Sequence, residues 1–207
     1  MECVNVLEKS ILECMYVAKI SNKKLDDVMQ ERHIIPKEYD LGIDKLIRNN
    51  LINHDGNTMT ELGRDSIRVV LAGGVFDIIH PGHIHTLNAA RALGDILVVV
   101  VATDNTAVKM KKRRPLHNQE QRRELVNSLS MADVALVGKE DDIFKTVDAV
   151  RPQVIALGYD QAHQEKFIVE GCKGINLDAT VARLQSPVPE ISSSSIEKEY
   201  GTSIHGI

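Results

Sequence analysis

Val69-Val70-Leu71-Ala72-Gly73-Gly74-Val75-Phe76-Asp77-Ile78-Ile79-His80-Pro81-Gly82-His83 is the stretch from which the rest of the chain can be read. Four apolar residues predict a buried parallel strand. The glycine pair lets the backbone turn sharply and approach a ligand, and Pro81 stands where a helix takes its first residue. A helix start presents unpaired N–H groups and the positive end of its dipole, so it favours an anion. His80 and His83, three residues apart, project from that same end toward whatever the glycine turn holds. The stretch lacks the cysteine and carboxylate spacing of a zinc site, so no protein-bound metal is expected there. Two imidazoles so placed would instead stabilise negative charge growing on a phosphate under attack.

Gly74-Val75-Phe76-Asp77 followed by His80-Pro81-Gly82-His83 resembles the signature of the cytidylyltransferase-like nucleotidyltransferases. In that superfamily a Rossmann-like domain moves a nucleoside monophosphate from an NTP to a phosphorylated acceptor. The resemblance implies nucleotide-binding positions at Gly74, Val75, Phe76, Asp77 and Gly82. Members more often carry Thr or Ser where this chain has Val75, so a hydroxyl contact does not carry over to that position.

With 207 residues, of which 43% are hydrophobic, the chain can build one α/β domain and a small appendage. A formal net charge of −4 argues against holding nucleic acid through bulk positive charge. No apolar run reaches ~18 residues and no signal-peptide layout opens the chain, so a soluble, cytoplasmic protein without membrane partners is expected. Cys3, Cys14 and Cys172 contain no CxxC pair and suit reduced thiols in a reducing compartment.

Residues 1–66 read as a winged-helix-like domain and 67–207 as the nucleotidyltransferase domain. Val4, Leu7, Ile11, Cys14 with Met15, and Ala18 form a helical stripe ending near Ile20. Ser21 or Asn22 is placed to cap a second helix, and a third after Pro36 carries Leu41, Ile43 or Asp44, Leu46 and Ile47. Within Leu51–Gly63, Asp55-Gly56 then predicts a tight turn between two short extended runs, and the stretch with Thr60 and Gly63 after the turn resembles the wing of winged-helix modules. The exposed face of the third helix holds only Lys37, Lys45 and Arg48 as cations. That favours docking or homodimer formation over DNA binding.

Beyond the opening stretch, the helix from Pro81 ends near Gly94, and Ile96–Ala102 reads as a second buried strand, which completes a right-handed βαβ unit. Asp104 follows at its carboxyl end, the ligand side of an open α/β sheet. The basic run Lys109-Met110-Lys111-Lys112-Arg113-Arg114, with Arg122 beyond it, reads as a lid that gathers phosphate charge, the lysines as point charges and Arg122 as a fork. A helix from about Asn118 turns Leu125, Val126 and Leu129 inward. Val134–Val137 is a third strand, Asp141–Val150 a helix and Val154–Leu157 a fourth strand. That strand leads into Gly158-Tyr159-Asp160-Gln161, where Gly158, Tyr159 and Asp160 are candidates for contact with base or ribose. Gly174–Leu177 and Val181–Leu184 are weaker strand candidates, the second antiparallel or at an edge. Finally, Ile191-Ser192-Ser193-Ser194-Ser195-Ile196 resembles the family's C-terminal phosphate motif, which implies that Ser192, Ser193 and Ser194 hold the β- and γ-phosphates.

The expected fold is therefore a doubly wound, Rossmann-like parallel α/β sheet preceded by a winged-helix-like domain. The expected reaction is attack by an acceptor phosphate on the α-phosphorus of Mg-NTP, the Mg2+ arriving with the nucleotide and pyrophosphate leaving. His80, His83, Lys109, Lys111 and Arg122 are the candidate catalytic residues. Lys109-Met110-Lys111, Arg114-Pro115, Glu120-Gln121-Arg122 and Leu157-Gly158-Tyr159-Asp160-Gln161 are similar to the archaeal FAD synthases, which transfer AMP from ATP to FMN. The alternatives are a CTP-dependent enzyme acting on glycerol 3-phosphate or a similar phosphorylated alcohol, and a nucleotide-sensing winged-helix regulator. Against the first, Ser186-Pro187-Val188-Pro189-Glu190 stands where such cytidylyltransferases usually carry Arg-Thr-Glu-Gly.

Overall fold

The computed structural model describes residues 4–140 and 142–185. The chain divides into two compact units, between Arg68 and Val69.

The first unit holds helices α1 (Val6–Ser21), α2 (Leu25–Glu31), α3 (Pro36–Arg48) and α4 (Glu61–Asp65). Asn5 starts α1 through a capping box: its side-chain oxygen accepts from the Glu8 N–H at 2.9 Å, and Glu8 accepts from the Asn5 N–H at 3.2 Å. Asn22, expected to cap the second helix, instead closes α1 in a left-handed conformation with its N–H on the Ala18 carbonyl; Lys24 precedes α2. On α3 the inward residues are Gly42 and Leu46, while Leu41 is 62% exposed rather than buried. The reason is close helix contact at Gly42, where a Cβ would lie 2.3 Å from Ile11 Cδ1, so α3 rolls onto its glycine and turns Leu41 outward.

Around Gly56 the chain turns with positive φ, as Asp55-Gly56 predicts, yet among the described residues a single antiparallel bridge, Ile52 to Met59, forms there. The second extended run ends at Thr60, which caps α4 through its hydroxyl, accepting from the Gly63 N–H at 3.0 Å. Gly63 also has to be glycine. A Cβ there would stand 1.9 Å from the Leu51 carbonyl oxygen.

The second unit is a five-stranded, all-parallel sheet of β1 (Val69–Gly74), β2 (Ile96–Val101), β3 (Val134–Val137), β4 (Val154–Leu157) and β5 (Thr180–Arg183), in the order β3-β2-β1-β4-β5. Helices α5 (Pro81–Arg91), α6 (Asp104–Lys111), α7 (Gln119–Asn127), α8 (Ile143–Val150) and α9 (Glu165–Gly174) connect and cover it. Val69–Ala72 of β1 and the whole of β2, β3 and β4 are runs of valine, isoleucine, leucine and alanine because a parallel strand in a doubly wound sheet is covered on both faces; β2 is buried along its whole length. Val70, Leu97, Val99, Leu87, Ala90 and Val126 form the core between the sheet and the α5 and α7 side.

Two local expectations are corrected, and the one left open between an antiparallel and an edge strand is resolved as an edge strand. Gly174–Leu177 is not a strand: α9 runs through Gly174, and the Leu177 N–H bonds back to the Cys172 carbonyl past a left-handed Asn176. The strand over Thr180–Arg183 is a parallel edge strand, since it follows a helical crossover from β4. Leu125 is 42% exposed, with Val126 taking the inward place on α7.

The chain runs from β1 outward through β2 and β3, then crosses to β4 on β1's other side. That reversal places a topological switch point at the carboxyl ends of β1 and β4, where ligands bind in open α/β sheets. It is also where Gly73-Gly74 and Gly158 emerge.

Candidate active site

At the end of β1 the chain passes through Gly74 and Val75 into Phe76, which holds a left-handed φ of 52°. A bulky residue rarely adopts that conformation, and here it folds the ring back over the turn. Gly74 makes room for it: a Cβ at 74 would lie 3.0 Å from the Phe76 ring. The ring then packs on His83, centroids 5.1 Å apart, and His83 packs on His80 at 3.9 Å with planes inclined by 34°. Pro81 is the first residue of α5. His80, the residue before it, does not cap the helix with its side chain, so both imidazoles stand over the helix start.

A cleft of about 130 Å³ runs along this edge, lined by Gly74, Val75, Phe76, His80, Gly82, His83, Thr86, Met110, Lys111, Gly158, Tyr159 and Gln161, together with neighbouring strand residues. Most of the residues predicted around the glycine turn thus converge on one cavity with Lys111. Burial first, then the positive charges of His80 and Lys111, push the His83 pKa down from 6.5 to about 4. Its buried Nδ1 has no hydrogen-bond partner among the described residues. An anion in the cleft would give the imidazole a hydrogen-bond partner and raise its pKa again.

A measurable consequence follows. Unfolded His83 titrates near ~6.5, so between there and about 4 the unfolded chain binds more protons than the native one. The histidine therefore leaves stability untouched above ~6.5 and lowers it progressively as pH falls toward about 4. Binding of pyrophosphate or ATP at about pH 5.5 is expected to take up a proton. Calorimetry in two buffers of different ionisation enthalpy checks this, and the uptake should shrink in His83→Asn.

Four predicted site residues lie elsewhere. Lys109 is exposed and is not part of this cleft's lining. Arg122 is the main correction: it is wholly buried, and it donates from Nη1 to the Val75 carbonyl at 2.6 Å, from Nε to the His117 carbonyl at 3.0 Å and from Nη2 to Asp104 at 2.7 Å. Its fork is spent inside the protein because α7 packs its first turn against the glycine turn. Asp104, expected to meet nucleotide, begins α6 and accepts that bond from Arg122. Asp77 is sunk beneath the turn, its carboxylate bonded to Arg113 and to the Leu116 N–H. Ser192, Ser193, Ser194 and the side chain of Asp160 lie outside the described residues.

A second cleft, of about 260 Å³, has no motif that marks it in the sequence. Leu71, Val100, Val147, Ile155, Leu157 and Ile168 give it apolar walls, with Thr103, Thr106, Thr146 and Gln164 as polar points and Lys139, Glu140 and Asp142 as charged ones. It shares Gly73, Gly74, Met110, Ala156 and Gln161 with the first, so the two meet across the end of β1. Gln161 holds that partition: its amide donates to the Gly73 carbonyl at 3.0 Å and accepts from the Gly158 N–H at 3.1 Å. The local signal was weak, since Gln161 ends a tetrapeptide read for its glycine and aspartate, and the cleft walls are ordinary strand residues.

The cytidylyltransferase-like family model matches residues 71–199, which span the glycine turn, both histidines and the serine run. The chain belongs to the cytidylyltransferase-like family. Among curated relatives it is 49% identical over 126 residues to a FAD synthase of Picrophilus torridus, covering 61% of this chain and 90% of the relative. It is 50% identical over 116 residues to a FAD synthase of Aciduliprofundum boonei, covering 56% and 77%. A solved structure, the lipopolysaccharide core biosynthesis protein from Thermoplasma volcanium, is 39% identical with a TM-score of 0.55, covering 58% of this chain and 98% of that one. This cytidylyltransferase-like chain is thus an enzyme of nucleotidyl transfer. Among its described residues no helix is long and apolar enough to cross a membrane.

Proposed function

We propose that the chain transfers AMP from Mg-ATP to FMN, forming FAD and pyrophosphate. The observation that carries this reading is the pair of clefts meeting at Gly73-Gly74, one ending in histidines and a lysine, the other walled by aliphatic side chains. A flavin ring is flat and largely apolar with polar edges, which suits the second cleft, and its phosphate then reaches the glycine turn. The similarity to two FAD synthases supports the same choice. Glycerol 3-phosphate, wholly polar, would leave the apolar walls unused.

In the reaction an FMN phosphate oxygen attacks the α-phosphorus of ATP. A new P–O bond forms as the bond to the β-phosphate oxygen breaks and pyrophosphate departs. Little covalent help is needed, so the protein acts by positioning and by stabilising charge. His80 and His83 donate to the phosphate chain at the start of α5, and Lys111 offsets the charge gathered from two substrates. Ser192, Ser193 and Ser194 are assigned to the leaving pyrophosphate on the motif alone. Mg2+ belongs to the substrate and rides on the triphosphate. Among the described residues no group of three or more His, Cys, Asp or Glu gathers to hold it.

The test is a matrix of ATP and CTP against FMN and glycerol 3-phosphate, read by pyrophosphate release. ATP with FMN is expected to exceed every other pair by at least ~10²-fold. Turnover only with CTP and glycerol 3-phosphate overturns the reading.

For the first unit we propose a homodimer contact rather than DNA binding. Val6 and Leu41 are 86% and 62% exposed, and the cations Lys37, Lys45 and Arg48 of α3 alternate with Glu38, Asp40 and Asp44. Charging both apolar positions (Val6→Glu with Leu41→Glu) is expected to yield monomer by light scattering with transferase activity retained. Unchanged assembly, or sequence-specific DNA binding by the full chain, overturns it.

A further inference from the structure

Lys111 is the last residue of α6, and after it the chain leaves regular structure until α7. Lys112 closes the helix in a left-handed conformation, its N–H on the Val108 carbonyl. Nothing in helix propensity alone would hold a lysine at such a terminus against the histidine cleft, since the last turn of a short helix frays. A buried carboxylate helps tie down the following segment. Asp77, three residues before His80 on the turn between β1 and α5, has a side chain with no exposed surface. It accepts from Arg113 Nη1 at 2.6 Å and from the Leu116 backbone N–H at 2.6 Å. Both donors belong to the segment just past Lys111, so a single group joins the histidine turn to the lysine segment.

We propose that Asp77 and Arg113 are positioning residues whose ion pair holds Lys111 against His80 and His83. This rests on the reading of that cleft as the phosphate site. A carboxylate so close to a triphosphate would oppose binding if its charge reached the cleft. Here it is buried beneath the turn, neutralised by Arg113 and lines neither cleft. Arg122 braces the same joint from the other side by bonding both the Val75 and His117 carbonyls. The arrangement lets two substrates rich in negative charge meet a lysine whose backbone is fixed before they arrive, so that less ordering is left to the transition state.

A merely structural ion pair would not report on His83, whereas a positioning pair does, because Lys111 lowers the His83 pKa along with burial and His80. The experiment follows the His83 imidazole by NMR titration, and kcat and KM for ATP, in the full chain and in Lys111→Gln, Arg113→Gln and Arg113→Lys. Removing Arg113 strands a buried carboxylate, so the double variant Asp77→Asn with Arg113→Gln provides a folded neutral pair. Lys111→Gln is expected to raise the His83 midpoint from about 4. Arg113→Gln and the double variant should raise it in the same direction, with kcat lowered at least ~10-fold and KM changed less. Arg113→Lys should restore part of both, because an ammonium keeps the charge without the fork. If Arg113→Gln and the double variant leave the His83 titration where it is while Lys111→Gln moves it, the clasp is refuted. A His83 midpoint indifferent to Lys111→Gln refutes it too. If instead the titrations move together but Lys111→Gln turns over at the unmodified rate, the clasp stands and the phosphate reading of the cleft fails.

Discussion

Replacing His83 with alanine lowers nucleotidyl transfer by about 10²-fold or more while the fold is retained. The imidazole sits within the first turn of α5 between the Phe76 and His80 rings, so its place is fixed before substrate binds. Its low pKa means that the His83 imidazole itself is neutral in the free site at neutral pH. The gain comes when an anion arrives: a neutral donor aimed at a phosphate in a partly buried cleft is worth more than the same donor in water. Alanine removes the donor and opens space beside Phe76, yet touches no strand of the sheet. His83→Asn keeps a donor and is expected to retain more activity than His83→Ala. Circular dichroism with a pyrophosphate-release assay checks both variants. A folded alanine variant that turns over at the unmodified rate would remove His83 from the site.

Arg122→Met is expected to cost about 3 kcal/mol of stability, against about 0.5 kcal/mol or less for a surface arginine. The guanidinium is wholly buried and bonds three acceptors on separate parts of the chain, the Val75 carbonyl, the His117 carbonyl and Asp104. A methionine fills the volume but leaves those acceptors without a donor. The Asp104 side chain is 44% exposed and recovers hydration, so the cost falls mainly on the carbonyls and sits at the lower end for a broken buried pair. Arg122→Lys should rescue little, because one ammonium cannot reach three acceptors in different directions. Thermal melts of the three proteins decide it, and a melting temperature unchanged in Arg122→Met refutes the strut.

Much of the second unit could be read directly. Val69–Ala72, Ile96–Val101, Val134–Val137 and Val154–Leu157 are apolar runs too short and too β-branched for helices, so periodicity and turn residues mark four of the five strands strongly. The fifth, Thr180–Arg183, is an edge strand with exposed ends and a weak pattern, and its direction depended on a helix that sequence reading left unassigned. Around the active cleft, His80, Pro81, Gly82 and His83 could be placed because one helix start fixes all of them within a single turn.

Local pattern could not decide the fate of long polar side chains. Arg122 and Lys111 look alike in sequence, two cations in a basic stretch, and only the packing of α7 against the glycine turn sends one into the core while the other lines the cleft. Asp77 and Gln161 are similar cases, since their partners lie 36 or 39 and 88 positions away in the chain. Leu41 shows the same limit for an apolar residue, turned outward by a close helix contact at its glycine neighbour. The sequence by itself determined the parallel α/β sheet, the glycine turn and the histidine pair, because these follow from backbone preferences and burial over a few consecutive residues. Only the tertiary structure decided which charges are spent on holding the turn, which one lines the cleft, and that a second, apolar cleft meets the first. Those outcomes depend on which distant groups meet and how fully water is excluded between them.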